Sequence, residues 1–421
     1  MGQLYKQLRG RRALNSAWRH IRKNGLSSSA PDTRRSIKKF EQDELRNLER
    51  LQEQLRNHTF RFAPQKGIPA KKSKSSDARR PLVVSPIENR IVQRSILDTA
   101  QNHIPMVKEI LQTPTSIGGI PKRGVGHALA LISDEIDRGA KYFIRSDISG
   151  FFTKIPRDEL VTFFLSACDD DDFIALFEAA IITELANIGD PDVYEHRDIF
   201  PIGPTGVAQG SPLSPLLGNI LLKGFDDQMN DRGIRCIRYI DDFILLGRNS
   251  KSVHAAFRSA QRILSEYEMV AYQPTDNPEK AEEGSVDQSF DFLGYQVSPG
   301  LIMPSKSARL RIDSRVRDIL SNAKGDLKRV AAGGSDNLPK YRYSHTLKYL
   351  NDVIKGWAYA FQFTTSPQCM QEIDKKIDNH LSRFNSFVSA LVAKADRKSK
   401  RRIMGVFLLE DRKTKDLPGA D

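Results

Sequence analysis

Residues 234–246 read Ile234-Arg235-Cys236-Ile237-Arg238-Tyr239-Ile240-Asp241-Asp242-Phe243-Ile244-Leu245-Leu246. Two strand-like runs, 234–240 and 243–246, flank a pair of aspartates with no other residue between them. The first run alternates apolar and basic side chains in part, and the second is wholly apolar. That pattern predicts a β-hairpin whose turn is Asp241-Asp242. Adjacent carboxylates repel one another and lose hydration when a fold gathers them, so a cation is their natural neighbour. Hard divalent ions such as Mg²⁺ prefer oxygen ligands of this kind, usually with substrate phosphates completing the shell. Taken alone, the dipeptide reads more simply as a solvated turn, and the rest of the chain has to decide.

The chain has 421 residues, a formal net charge of +13 and a pI near 9.5. This length allows two or three domains and a sizeable core. The excess of Lys and Arg points to a polyanionic partner, with nucleic acid first. Cys168, Cys236 and Cys369 lie far apart, which fits neither a zinc site nor a disulfide framework and suggests a reducing, cytoplasmic setting. No signal peptide or apolar run of membrane-spanning length is visible, so no membrane role is expected.

Upstream, residues 1–25 read as a basic helix with Leu14, Trp18 and Ile21 at i, i+4 and i+7. A Gly-Ser linker follows, then a helix from about Ser36 to Arg56. Residues 67–81 form a basic, turn-rich loop leading into a strand at 82–84. With Lys71, Lys72 and Arg80, that loop suits either a triphosphate or a solvated hairpin tip. Residues 87–110 look helical. The run Tyr142-Phe-Ile-Arg-Ser-Asp147 predicts an apolar strand ending on Asp147, where a ligand would rest on rigid scaffolding or the carboxylate would cap the next helix. The four aspartates 169–172 read as a solvated loop, not a metal site. Residues 206–219 start as a small-residue loop, where Gly206 and Gly210 allow backbone to approach a flat ligand, and continue as a helix. Beyond the hairpin come a helix at 253–267, a turn Asn277-Pro-Glu-Lys280 and a strand pair, 290–297, broken at Gly294. After residue 300 helical spacing takes over, with Leu350, Ile354, Trp357 and Phe361 as one apolar stripe and a further helix at about 372–384. Lys394, Arg397, Lys398, Lys400, Arg401 and Arg402 form a basic cluster suited to phosphate.

A strand-end aspartate, a Gly-Gln-Gly loop and an aspartate hairpin together suit two-metal nucleotidyl transfer. There, two Mg²⁺ roughly 4 Å apart stabilise the attacking and leaving oxygens. In this order the motifs resemble those of the reverse transcriptases over most of the chain. Tyr239-Ile-Asp-Asp242 is similar to their signature hairpin, Asp147 with Phe151-Phe152 to their first catalytic strand, and Gln209-Gly210-Ser-Pro-Leu-Ser-Pro215 to their template–nucleotide loop. Phe292-Leu293-Gly294-Tyr295 resembles the primer-grip hairpin, and Asn277-Pro-Glu-Lys280 the segment before it. Arg80-Pro-Leu with Arg90-Ile-Val-Gln-Arg94, and Leu350–Trp357 with Ile373, Asp374 and Ile377, look like the fingers and the thumb of the bacterial group II intron lineage. Ile240 in place of the usual Ala, the lack of an HNH module and an unusual end after Phe384 tilt the resemblance toward defence-associated enzymes of the unknown group. Those act with a partner non-coding RNA against phage.

The resemblance implies an α+β right-hand polymerase. Its parts would be N-terminal helices and fingers (1–125), a palm with an antiparallel sheet and helices (126–299, with a fingers insertion near 165–204), an α-helical, maturase-like thumb (300–385) and a basic tail (386–421). It implies that Asp147 and Asp241 are the main Mg²⁺ ligands, with Asp242 and the Ile148 carbonyl beside them and Mn²⁺ as a substitute ion. Phe152 would be the steric gate that selects dNTP over NTP, Gln209 and Gly210 would meet nucleotide or template, and Lys71 or Lys72 with Arg80 would neutralise the triphosphate. Lys280 would protonate the leaving pyrophosphate, and Tyr239 with Phe292–Tyr295 would face primer and template. The expected activity is RNA-directed DNA synthesis from dNTPs, giving cDNA on an RNA template. The competing expectations are an intron-type maturase or retroelement enzyme, an RNA-binding factor with an idle site, and an RNA-templated RNA polymerase.

Overall fold

The described residues of the basic stretch 67–81, expected as a loop, instead form the arms of a ribbon: β1 (Lys66–Ser73) pairs antiparallel with β2 (Ser76–Val84). Its Lys, Ser and Pro content hides the strand pattern, because the ribbon is held by backbone pairing and by its base. There Gln65 N–H donates to the Glu184 carbonyl (2.7 Å), and Gly67 N–H donates to Asn187 Oδ1 (2.8 Å). The computed structural model describes residues 2–28, 30–73, 76–231, 233–332 and 342–411. The side chain of Lys72 lies outside the described residues.

The chain divides into two units, Met1–Val286 and Asp287–Asp421. In the first, β3 (Tyr142–Ser149) is the axis of an antiparallel sheet. With β4 (Arg235–Tyr239) and β5 (Asp242–Gly247) on one side, β6 (Val270–Ala271) and β7 (Glu282–Ser285) pair with its other edge. Successive residues of a strand face opposite ways, yet Phe243, Ile244, Leu245 and Leu246 are all fully buried. β5 is therefore packed on both faces over 243–246, which is why that run is wholly apolar. Phe225 and Phe257, from helices Lys223–Asn230 and Ser250–Ser265, close on the Phe243 ring at 5.6 and 6.4 Å.

Helix Ile87–His103 is buried nearly all round, and its polar residues are used as clamps. Asn89 exchanges two hydrogen bonds with the Ala63 backbone, Gln93 Nε2 donates to the Ala180 carbonyl and Ser95 Oγ donates to the Leu8 carbonyl. The helix expected over 87–110 breaks at Ile104, since the residue before Pro105 is driven to extended backbone (ψ 116°). The expected helix from Ser36 to Arg56 is two, Pro31–Gln42 and Glu44–Arg56, because Asp43 leaves helical dihedrals and Asn47 Nδ2 takes up the Phe40 carbonyl. The N-terminal basic helix is likewise two, Gln3–Leu8 and Arg11–Leu26, with Leu14, Ala17, Trp18 and Ile21 inward.

The aspartate run 169–172 is also not the solvated loop expected. Asp170 is 4% exposed, and its carboxylate accepts from Phe173 N–H (3.1 Å), capping helix Asp171–Ile181, and from Tyr5 N–H (2.9 Å). One side chain thus ties the N-terminal helix to the insertion.

The second unit holds a three-stranded antiparallel sheet, β8 (Phe290–Phe292), β9 (Tyr295–Ser298) and β10 (Leu301–Pro304). Helices Lys306–Ala331, Tyr343–Ala360, Pro367–Lys394 and Arg397–Met404 share a core that includes Val316, Leu327, Leu350, Phe384 and Ile403. Of the expected stripe, Leu350 is buried, while Ile354 and Trp357 pack against that core from its edge. Five of the six residues of the basic cluster ride on the helix Arg397–Met404, which Asp396 caps by accepting from Lys398 and Ser399 N–H. Among the described residues no helix is long and apolar enough to cross a membrane.

Candidate active site

The β3–β5 register sets Asp147 directly opposite Asp242. Tyr239 pairs with Asp242 across the hairpin, so the turn is Ile240-Asp241, not Asp241-Asp242 as expected. Asp242 is the first residue of β5, and only Asp241 sits on the turn. Ile240 has φ +64°, a left-handed conformation that a β-branched residue avoids and that costs about 1–3 kcal/mol. Sequence patterning favours an aspartate there over an isoleucine, which is why the turn is displaced by one residue. Ile148 N–H donates to the Asp241 carbonyl (3.1 Å), which fastens the turn to the end of β3.

Three carboxylates and one ammonium meet at this corner. Lys280, from the Asn277–Lys280 turn, hydrogen-bonds and ion-pairs with Asp147 Oδ2. Burial lowers the Lys280 pKa, but the bond and charge of Asp147 outweigh it and hold the ammonium above its ordinary value. Asp241 is pushed up to about 6, first by burial and then by the charge of Asp147, with Lys280 and Arg80 pulling the other way. Asp242 rises to about 7, again by burial first, then by Asp241 and Asp147, with Lys280 and Arg145 opposing. Lys280, Arg80 and Arg145 together therefore do not offset burial and repulsion. An all-oxygen donor set whose members resist ionising together suits a hard divalent cation, which would relieve both burial and repulsion.

The surrounding residues divide by position. Phe152 is half-buried in the short helix Phe151–Lys154 just after β3, its ring 5.2 Å from that of Phe151. Its carbonyl accepts from Val207 N–H (2.7 Å), which joins the strand end to the loop 206–210. Gly206 has φ +87°, and an added Cβ would lie 2.7 Å from the Thr153 carbonyl oxygen. Gln209 lies against β2, its carbonyl accepting from Val83 N–H (3.0 Å), with Gly210 exposed beside it. Lys71 and Arg80 are exposed on the ribbon, and Arg80 stands near enough to Asp241 to stabilise its charge. Phe292, Leu293, Gly294 and Tyr295 belong to the second unit and form the turn between β8 and β9, with φ +50° at Leu293 and +82° at Gly294. Tyr295 is buried there, its hydroxyl donating to the Ala360 carbonyl (2.7 Å).

Two residues escaped the sequence reading. Arg238 and Asp226 form an ion pair beneath the turn, 0% and 2% exposed at their side chains. Nothing in the string of residues shows that this arginine of β4 points inward; the neighbouring Arg235 is only half-buried. Away from the sheet, Asp192, Glu195 and His196 bring three ligand atoms within 4.8 Å of one another, but both carboxylate residues are exposed.

Protein YkfC of Escherichia coli (strain K12) is similar, 24% identical over 261 residues, covering 53% of this chain and 64% of its own length. An uncharacterized 91 kDa protein in the cob intron of Schizosaccharomyces pombe is 28% identical over 183 residues, 43% of this chain and 20% of that protein. The chain thus spans less than two thirds of the length of these curated relatives. Among solved structures, a partial Cas6-RT-Cas1–Cas2 complex matches 63% of this chain and 43% of its own at 22% identity, with a TM-score of 0.35. Telomerase from Candida albicans, in complex with a TWJ fragment of telomeric RNA, matches 81% of this chain and 65% of its own at 12% identity and a TM-score of 0.39. At such TM-scores neither likeness bears on function. The family described as reverse transcriptase (RNA-dependent DNA polymerase) matches residues 68–297. That is more than half of the 421 residues, and the chain belongs to the reverse transcriptase family.

Proposed function

We propose that the protein is an RNA-directed DNA polymerase that makes cDNA from dNTPs on an RNA template, with Asp147, Asp241 and Asp242 as its catalytic carboxylates. The single observation that carries the reading is the corner where β3 and the β4–β5 turn bring these three aspartates and Lys280 together, within a chain of the reverse transcriptase family. The reaction joins the primer 3′ oxygen to the α-phosphorus of the dNTP and breaks the bond to the β-phosphate, releasing pyrophosphate. Bound Mg²⁺ would lower the pKa of the 3′ hydroxyl and stabilise the leaving oxygen.

The remaining roles fall to side chains. Asp147, Asp241 and Asp242, with the Ile148 carbonyl, hold the divalent cations. Arg80, with Lys71 or Lys72, balances the triphosphate charge. Lys280 supplies a proton to pyrophosphate once its contact with Asp147 is exchanged for substrate. Phe152, at the foot of β3, excludes the 2′ hydroxyl, and Gln209-Gly210 meets the nascent base pair. Tyr239 and the hairpin Phe292–Tyr295 steady primer and template. The setting that Ile240, in place of the usual alanine, favours is antiphage defence in the cytoplasm with a partner non-coding RNA, which a plaque assay with and without the intact aspartates tests.

The activity itself is tested by primer extension on an RNA template. Magnesium-dependent dNTP incorporation is expected, and it disappears when Asp241→Ala and Asp242→Ala are combined. Normal extension by that double variant refutes the assignment.

A further inference from the structure

We propose that Arg238, held by Asp226, is the positioning residue of the acidic corner: it clamps the carbonyl of Ile240 and keeps the turn in the left-handed conformation that aims Asp241. The role of Asp241 in this inference rests on the polymerase reading; the statement about the turn does not.

A guanidinium has five N–H groups in a fixed fork. Nε and Nη2 of Arg238 donate to the two oxygens of Asp226 at 2.8 and 2.5 Å, a bidentate pair complete in itself. Nη2 also donates to Ser116 Oγ (2.9 Å), and Nη1 donates to the Ile240 carbonyl (2.9 Å). The remaining guanidinium nitrogen, Nη1, is thus spent on the turn. A buried ion pair is not needed for stability, since apolar residues of like volume commonly serve as well. What an apolar pair lacks is a donor for that carbonyl.

The turn needs holding, because Ile240 is β-branched at φ +64°. Its second support is the segment 115–118, laid along β4 by Arg238 N–H to the Thr115 carbonyl (2.9 Å) and Ile117 N–H to the Arg238 carbonyl (2.8 Å). A Cβ on Gly118 would stand 2.5 Å from Ile240 Cγ1 and 2.7 Å from its nitrogen. Asn219 ties this segment in, donating to the Gly118 carbonyl (2.9 Å) and accepting from Ser116 Oγ (3.2 Å). Arg238 therefore grips the turn from below while residues 115–118 wall it from the side. If the Ile240 carbonyl swings away, the Asp241 carbonyl moves too, and with it the bond from Ile148 N–H.

That last bond is a reporter that needs neither metal nor activity. Arg238→Met combined with Asp226→Leu removes both charges together, so no lone buried charge remains. Amide hydrogen exchange of the metal-free protein should then show Ile148 losing protection by roughly tenfold or more while the other β3 amides keep theirs. Ile240→Gly, which takes positive φ freely, should make the same double exchange several-fold less damaging. In primer extension, kcat should fall about 10- to 100-fold with little change in KM for dNTP, the size seen when groups supporting metal ligands are lost. Should the double variant fail to fold, Arg238→Lys serves: it keeps the charge beside Asp226 but loses the fork, and the same Ile148 loss is expected. Unchanged protection at Ile148 in a folded variant overturns the inference whatever the activity, as does equal damage in the Ile240→Gly background. A parent protein that never incorporates dNTP refutes the polymerase reading instead, with the Ile148 result still deciding the role of Arg238.

Discussion

Asp242→Asn should stabilise the metal-free protein. The Asp242 carboxyl rises from 3.8 to about 7 through burial and the charges of Asp241 and Asp147. Below about pH 4 it is protonated in both folded and unfolded chains. Between there and about pH 7 the unfolded chain releases the proton while the folded protein keeps it, so stability falls as pH rises; above about 7 the loss is complete. Three pKa units at about 1.4 kcal/mol each set an upper figure of about 4 kcal/mol. Allowing for the part of the side chain that solvent screens, the gain from the neutral amide should be about 2–4 kcal/mol at about pH 8, and less than half of that at about pH 5. Urea unfolding in chelator measures it. Trp18, fully buried in the first unit, reports the transition once Trp357, in the second, is replaced by Phe. Millimolar magnesium should narrow the difference by favouring the parent. A variant no more stable than its parent at pH 8, or one equally stabilised at both pH values, refutes the picture of mutually repelling carboxylates.

Asp170→Ala removes a helix cap and leaves Tyr5 N–H without its acceptor, and should cost about 2–4 kcal/mol in the same urea assay. Phe152→Val should lower the preference for dNTP over NTP by roughly tenfold or more in steady-state kcat/KM, whereas an enzyme built for NTPs would show no such change. Gly206→Ala should destabilise the 206–210 loop by about 1–3 kcal/mol, since φ is +87° and its Cβ would press on Pro201 and Thr153; a neutral result in thermal unfolding contradicts the loop geometry. Replacing the exposed Arg11, Arg12, Arg19 and Lys23 by Ala should lower the slope of log RNA affinity against log salt by about 2–4. An unchanged slope would show that RNA does not lie along that helix.

What could be read from residues alone was what periodicity and chemistry carry locally. The apolar run at 243–246, the aspartate in the strand that starts at Tyr142 and the order of the motifs were enough to expect the sheet and its acidic corner, although that strand runs two residues beyond Asp147, to Ser149, where it pairs with β6. Residues whose role depends on a distant partner were not legible. The identity of the turn hung on Ile240 accepting a conformation its side chain resists, which becomes tenable only with Arg238 below it and Gly118 beside it. The ribbon of β1 and β2 was hidden because lysines, serines and prolines are poor strand formers, and it is held by backbone pairing and, at its base, by the Glu184 carbonyl and the Asn187 side chain. Asp170 looked like one of four solvated carboxylates. What distinguishes it is the Tyr5 N–H, 165 positions away in the chain.

The central claim is that Asp147, Asp241 and Asp242 form one metal-holding centre. Its most direct measurement counts manganese ions bound per chain by paramagnetic resonance, with primer–template and a dNTP that cannot be joined. Two ions are expected for the parent, and loss of both when Asp147→Asn is combined with Asp241→Asn. Equal counts in the parent and in that double variant, with the fold intact, would contradict the claim.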